Sequence, residues 1–287
     1  MLAALSELME YAQRKKMAIG AFNTPNLESL QAVIGAAEES DLPVIAQFAQ
    51  CHEENMSLSV IGPIMVDMAR RAKTPVCVHL DHGETVEYLE RALRIGFNSV
   101  MYDGSALPYE QNLLNTKKAV AAASVCNAEV EAELGSLGRR ESGGTEKEGE
   151  EKDGGKIYTD PEMAAAFVKE TKIAALACSF GTAHGIYLEK PRLNLEIVRK
   201  VRKLTGDIPV VMHGGSGLEA GEYRAVIDAG VRKINYFTYM DKAGGRAAGD
   251  YMREKENGGT AFFMELSRRS MLEMKEHVKE AMRWFAP

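Results

Sequence analysis

The chain has 287 residues, 45% of them hydrophobic and 26% charged, the composition of a soluble globular protein with room for one large core. Its 35 basic and 41 acidic side chains leave a formal charge of −6, and no Lys/Arg-rich run stands out, which argues against a nucleic-acid partner. No apolar stretch approaches the ~20 residues needed to cross a membrane, and the amino terminus has no signal-peptide pattern. The four cysteines, Cys51, Cys77, Cys126 and Cys178, are far apart and form no Cys-x-x-Cys pair. They read as reduced thiols of a cytoplasmic protein, with Cys77 and Cys178 buried in strands. The fifteen methionines are scattered and read as core filler.

In chain order, residues 2–16 carry an amphipathic helical pattern on Leu2, Leu5, Leu8 and Met9. Residues 18–23 form a first strand ending in Asn23, and Thr24-Pro25-Asn26 opens a helix with Leu27, Leu30, Val33, Ile34 and Ala37 at helical spacing. A strand over 43–48 and a helix over 57–72 follow. The apolar run Pro75-Val76-Cys77-Val78 leads into His79-Leu80-Asp81-His82-Gly83, a buried parallel strand whose exit is assigned to the glycine. A helix over 84–95 ends on Gly96 as a cap, and a strand over 99–103 and a helix over 109–125 come next.

The fifth strand, 128–134, is unusual in carrying acids: Glu131 and Glu133 share one face and Ala132 the other. Residues 138–156 then break the rhythm with a long Glu/Lys/Gly-rich stretch, read as a mobile lid. Asp160-Pro161-Glu162 restarts a helix. The sixth strand, 174–180, runs towards His184, a helix covers 193–204, and the seventh strand ends at His213. A helix over 222–229, an eighth strand over 233–238 and a helical tail over 239–287 complete the chain. Eight strand–helix alternations without an interior linker predict a single α/β domain over residues 1–287, a (β/α)8 TIM barrel with a C-terminal helical extension. A doubly wound open sheet is the alternative, but the GxGxxG expected after its first strand is absent.

His82, His184 and His213 stand at or just beyond three strand ends. Alone, each is more readily a hydrogen-bonded structural histidine than a ligand. Three of the chain's six histidines at strand ends point instead to one metal ion with a position open for substrate. Zn2+ suits imidazole ligands best, and cobalt or ferrous iron suit the same set. Asp81 is next to His82, and neighbouring strand side chains diverge, so a turn must bring both into the mouth. Asp103, Glu131 and Glu133 read as ion-pairing groups inside the barrel, or as acids that tune the histidines or hold the metal at an alternate position. Gly214-Gly215-Ser216-Gly217 and Asn235-Tyr236-Phe237-Thr238 follow strands seven and eight, where barrels commonly hold a phosphate.

The motifs Ala21-Phe22-Asn23, His79-Leu80-Asp81-His82-Gly83, Asp103-Gly104-Ser105, Glu131-Ala132-Glu133-Leu134-Gly135, Gly181-Thr182-Ala183-His184-Gly185, His213-Gly214-Gly215-Ser216-Gly217 and Lys233-Ile234-Asn235 span nearly the whole chain. Together they resemble the class II, metal-dependent ketose-bisphosphate aldolases, and the tagatose-type branch more closely than the fructose type. The resemblance implies His82, His184 and His213 as ligands of one Zn2+. It implies Asp81 as the acid that protonates the aldehyde oxygen in condensation and takes the C4 hydroxyl proton in cleavage. Glu141, in the loop, falls where the family keeps the glutamate that moves the donor's C3 proton. Gly185, Gly214, Gly215 and Ser216 fall on positions for phosphate and a monovalent cation, Na+ or K+. Asn23, Asn235 and Thr238 fall on positions contacting the dihydroxyacetone phosphate half. With Zn2+ as Lewis acid to stabilise the enediolate left by C3–C4 cleavage, no Schiff-base lysine is needed.

Three sites depart from many relatives. Phe237 stands where fructose-type members carry Asp before Thr, Ala49 where some place a serine, and Arg139-Arg140 where small residues precede the loop glutamate. The resemblance leaves two alternatives beside a fructose or tagatose 1,6-bisphosphate. One is another phosphorylated keto-sugar, such as a deoxy-ketogluconate phosphate; the other is a non-catalytic accessory subunit. It also implies a homodimer or homotetramer, with an accessory subunit as a further partner.

Overall fold

The computed structural model describes residues 1–135, 158–187, 190–256 and 259–287. Eight parallel strands close on themselves in sequence order: β1 (Ile19–Asn23), β2 (Val44–Ala49), β3 (Val76–Gly83), β4 (Ser99–Tyr102), β5 (Glu129–Leu134), β6 (Ala175–Cys178), β7 (Val210–Met212) and β8 (Val231–Tyr236). β8 pairs with β1, with Ile19 opposite Lys233 and Phe22 opposite Tyr236. The predicted barrel is therefore the observed one. Ten α-helices occur among the described residues: α1 (Leu5–Lys15), α2 (Leu27–Ser40), α3 (Leu58–Arg71), α4 (Val86–Ile95), α5 (Tyr109–Val125), α6 (Pro161–Thr171), α7 (Leu195–Thr205), α8 (Ala220–Ala229), α9 (Thr238–Lys255) and α10 (Phe263–Phe285).

The helix starts follow the residues that predicted them. Asn26 Oδ1 accepts from Ser29 N–H at 2.8 Å at the head of α2, and Asp160 Oδ1 accepts from the Glu162 and Met163 amides at 2.9 Å at the head of α6. Gly96 ends α4 in the left-handed conformation, φ 110°. Sequence placed several ends too far out. β8 begins at Val231 and stops at Tyr236, so Thr238 opens α9 rather than closing a strand. β6 is four residues long, and His184 lies in the loop beyond it. Leu2 pairs with Val76 as a short bridge instead of starting α1.

Two apolar clusters set the layers. The larger joins outward strand residues such as Val78, Leu80, Val100, Val130 and Ile234 to the surrounding helices. The smaller holds Ile19, Ala21, Ile45, Cys77, Ala175, Ala177 and Val211 inside the barrel, beneath which Leu5, Leu8, Met9 and Ala12 of α1 close the amino-terminal end. The apolar plug lies towards the amino-terminal end of the barrel, opposite the carboxyl ends of the strands, where barrel chemistry is placed. Cys77 and Cys178 are buried free thiols, as expected, while Cys51 and Cys126 are exposed. Among the described residues no helix is long and apolar enough to cross a membrane.

Candidate metal centre and active site

β3 carries Val78 and Leu80 on its outer face and His79 and Asp81 on its inner one. Continued alternation would send His82 outward. Instead His82 takes φ 44°, and the pairing of β3 with β4 shifts register between Leu80 and Gly83. This bulge turns His82 back to the Asp81 side, its Nε2 3.9 Å from Asp81 Oδ1. The left-handed residue is thus the histidine and not the glycine predicted to make the exit. Gly83 is required for another reason: a Cβ there would lie 2.3 Å from Leu89 Cδ1 and 2.9 Å from the Met101 carbonyl oxygen.

The bulge brings the three predicted histidines together. Ring centroids are 4.6 Å apart for His82–His213, 5.1 Å for His82–His184 and 5.9 Å for His184–His213. One nitrogen from each falls within 4.8 Å of the others. His82 Nδ1 meets Asp103 Oδ2 at 2.8 Å, and His213 Nε2 meets Glu131 Oε1 at 2.9 Å. A carboxylate only accepts, so each bond fixes a proton on that nitrogen and leaves the other, His82 Nε2 and His213 Nδ1, as the one available to a metal, His213 Nδ1 on loss of the proton it shares with Glu133. Imidazoles oriented by carboxylates, at the mouth of a closed lumen, are a donor set that fits a divalent ion of the zinc type. A second grouping, His82 with Asp103 and Glu133, overlaps the first at His82 and supplies the oxygen donors expected there.

The electrostatics are those of a site built for a cation. Burial opposes ionisation of Asp103 and Glu131, but His82 and two bonds from Ser105 outweigh it for Asp103, and Lys233, His213 and His79 outweigh it for Glu131. Both carboxyls are held well below their usual range. Burial prevails at Glu133, whose pKa is raised despite His213 Nδ1 at 3.2 Å. His213 is itself pushed up to about 9, because Glu131 and Glu133 flank it and overcome the cost of burying its charge.

Asp81 is buried and caged by amides. Asn235 Nδ2 donates to Oδ1 at 3.0 Å, while Gln47 Nε2 and Asn23 Nδ2 donate to Oδ2 at 3.1 and 3.2 Å. Burial disfavours the carboxylate, yet the surrounding positive groups, His82 first, lower its pKa to about 2. Sequence reading placed Asn23 and Asn235 in the site but missed Gln47. It also missed a polar layer just below, where His79 Nδ1 pairs with Ser99 Oγ at 2.7 Å and Lys233 Nζ meets Glu131 Oε2 at 2.8 Å. The internal ion pairing predicted for Glu131 is present, and Lys233 is its cationic partner.

The loops after β6 and β7 touch each other. Gly214 has φ 62°, and a Cβ on it would lie 2.3 Å from the Ala183 carbonyl oxygen. Tyr187 joins the two, its hydroxyl accepting from Ala183 N–H at 3.0 Å and donating to the Gly214 carbonyl at 2.8 Å. Nothing in the sequence pattern singled it out. Gly185, φ 91°, follows His184 directly. The Gly215 amide donates to the Asn235 carbonyl at 3.0 Å, and the Phe237 amide donates to Ser216 Oγ at 3.0 Å. The loops after β7 and β8 are thereby tied, with Thr238 at the amino terminus of α9, an end suited to anions. Glu141 lies outside the described residues.

An eight-stranded α/β barrel with oriented imidazoles and an amide-held carboxylate at its mouth defines a metal-site barrel enzyme. The chain matches the family model described as "Fructose-bisphosphate aldolase class-II" over residues 3–287 and belongs to that family. It is a class II aldolase, a carbon–carbon lyase of a metal-dependent class. It is 38% identical over 285 residues to the YdjI protein of Escherichia coli, covering 99% of this chain and 98% of that protein. The crystal structure of the YdjI aldolase from Escherichia coli K12 superposes with a TM-score of 0.85 at 34% identity, covering 99% of this chain and 97% of that one. A fructose-bisphosphate aldolase of Geobacillus stearothermophilus is 36% identical over 261 residues, 89% of this chain and 88% of the relative. A 6-phospho-5-dehydro-2-deoxy-D-gluconate aldolase of Halalkalibacterium halodurans is 36% identical over 242 residues, 83% of this chain and 80% of the relative.

Proposed function

We propose that the chain reversibly cleaves a ketose 1,6-bisphosphate of the tagatose or fructose type to dihydroxyacetone phosphate and glyceraldehyde 3-phosphate, with Zn2+ held by His82, His184 and His213. The observation that carries this reading is the convergence of three imidazoles beside a buried carboxyl held by three amide donors. When bound, the metal supplies a Lewis acid against the charge that develops on the donor half as C3–C4 breaks. Asp81, an acceptor at working pH, takes the proton of the C4 hydroxyl in cleavage and returns it to the aldehyde oxygen in condensation. The amides of Asn23, Gln47 and Asn235 keep that carboxylate in one orientation. Glu141 moves the C3 proton of the donor. Asp103 and Glu131 orient His82 and His213, and Asp103 and Glu133 offer the metal an alternate position. Phosphate is held across the loops after β6, β7 and β8, by Gly185, Gly214, Gly215, Ser216 and Thr238, with Na+ or K+ beside them.

The same donor half serves an aldolase for a deoxy-ketogluconate phosphate, and the relative so named in Halalkalibacterium halodurans favours that as the second reading. We place the reaction in the cytoplasm, in keeping with two buried free thiols. We further propose a homodimer or homotetramer, supported by Phe262, Phe263 and Met264 exposed together at the start of α10; an accessory subunit would be a further partner.

Solvent deuterium exchange into dihydroxyacetone phosphate, followed by proton NMR with and without EDTA, tests the donor half without assuming an aldehyde. Exchange abolished by EDTA and restored by Zn2+ is expected, and Glu141→Ala should suppress it. Exchange indifferent to EDTA would overturn the metal assignment, and exchange intact in Glu141→Ala would overturn the base. A panel of phosphorylated aldehydes then separates the two substrate readings.

A further inference from the structure

Lys233 lies inside the barrel as a lysine with no solvent exposure, and the aldol reaction as derived above does not use it. Its ammonium makes two contacts. One is the 2.8 Å ion pair to Glu131 Oε2, whose other oxygen meets His213 Nε2 at 2.9 Å. The second donates to Asn235 Oδ1 at 2.8 Å, and Asn235 Nδ2 in turn donates to Asp81 Oδ1 at 3.0 Å. The first branch crosses the lumen from β8 to β5 and on to the loop after β7; the second climbs β8 by two residues and crosses to β3.

We infer that Lys233 is a positioning residue that fixes a zinc-ligating imidazole and the proton-transferring carboxylate relative to each other, through Glu131–His213 on one side and Asn235–Asp81 on the other. This rests on the reading of His213 as a metal ligand and of Asp81 as the acid–base group. The physical case is one of orientation. An Asn amide can present either end to a neighbour, and the ammonium, which has only donors, compels the oxygen of Asn235 to face it and the NH2 to face Asp81. The same ammonium draws Glu131 Oε2, so the carboxylate plane and the other oxygen's direction towards His213 Nε2 are fixed together. Without Lys233, the oxygen of Asn235 loses its anchor, so the amide that donates to Asp81 is held at one end only and can swing, while Glu131 loses its counter-charge and is no longer fixed in plane towards His213 Nε2. The metal ligand and the acid would then be set independently of each other.

The test compares wild type with Lys233→Met, Glu131→Gln and the double variant, each examined for zinc dissociation constant by chelator competition and for cleavage at saturating zinc. Partners that orient a ligand usually carry about ten- to a hundredfold in metal affinity. Lys233→Met is expected to raise the zinc dissociation constant about tenfold or more. At saturating zinc it should also lower kcat about tenfold, with little change in KM, because the Asp81 branch is lost too. In the double variant the zinc effects should not multiply, since both substitutions break one chain, while the kcat loss should persist. A folded Lys233→Met with wild-type zinc affinity and a lowered Tm would overturn the inference and leave Lys233 a stabiliser of the barrel. So would zinc effects that multiply in the double variant. If Lys233→Met alone leaves Glu131 too poorly compensated to fold, the double variant, which removes both charges, and Glu131→Gln, which keeps every heavy-atom position, read the same two quantities. Wild-type zinc affinity and kcat in the double variant would overturn the inference as well. Failure of the underlying reading is separate, because wild type itself would then bind no zinc through His213, as His213→Ala would report.

Discussion

The hydroxyl of Tyr187 donates to the carbonyl oxygen of Gly214 at 2.8 Å while it accepts from the amide of Ala183. Ala183 precedes His184 and Gly214 follows His213, so one phenol sets the separation of two loops, each one residue from an imidazole of the candidate centre. Tyr187→Phe keeps the ring and removes only the clasp, leaving a partly buried amide and carbonyl to find other partners. That should cost about 1–3 kcal/mol and weaken zinc binding about tenfold. Gly214→Ala should be more severe, because its new methyl would meet the Ala183 carbonyl and its backbone is left-handed. Thermal unfolding and zinc titration of both variants check the order.

Asp81 receives three amide donors, and this arrangement suits a carboxylate only. Asp81→Asn halves the acceptor capacity, so at least one of Asn23, Gln47 or Asn235 must turn or lose its bond. The substitution also removes the proton acceptor, an effect worth about 10²–10⁴-fold in kcat for a general base. Deuterium exchange into dihydroxyacetone phosphate should survive far better than cleavage, because the C3 proton of the donor is assigned to Glu141. Equal loss of both activities would show that Asp81 serves the donor half instead.

The parts of this site that sequence made visible are those at strand ends. His184 and His213 end apolar runs in glycine-rich turns, and the barrel rhythm itself says that such ends share one mouth. Asp81 and His82 could be placed there only on the assumption of a turn, which the bulge at His82 supplies. No local pattern announces a left-handed histidine, because its cost is met by contacts made elsewhere in the fold. Gln47 and His79 were hidden because their partners, Asp81 and Ser99, lie on neighbouring strands, and no spacing within one strand pairs them. Lys233 did leave a trace: a lysine within Val231-Arg232-Lys233-Ile234, on a parallel strand covered on both faces, needs an acid across the barrel, and Glu131 was one of three acids read as ion-pairing inside it. Tyr187 left none, since its two partners lie four residues back and on the next strand's loop. Such a clasp is a property of the assembled mouth.

The buried imidazoles make the stability of metal-stripped protein depend on pH in opposite directions. His79 is lowered to about 3 by burial and by Lys233, so it is neutral when folded and protonates below about 6.5 when unfolded. Its contribution is present above that unfolded value and is lost as pH falls from there towards 3. His213 is raised to about 9 by Glu131 and Glu133 against its burial. Its contribution is complete below about 6.5 and is lost as pH rises towards 9. Each limb has a slope on the order of 1 kcal/mol per pH unit. Protein stripped with EDTA should therefore show a maximum in Tm near neutral pH, falling on both sides. The acid limb steepens further below about 4, where Asp81, lowered to about 2, adds its own loss. Zinc requires His213 with its Nδ1 unprotonated, so saturating metal should remove the alkaline limb and leave the acid one. His79→Gln should flatten the acid limb between about pH 6.5 and 4 and leave the alkaline one in place. Scanning fluorimetry from about pH 3 to 10, with and without zinc, gives all three curves; an alkaline limb that persists unchanged under saturating zinc would remove His213 from the ligand set.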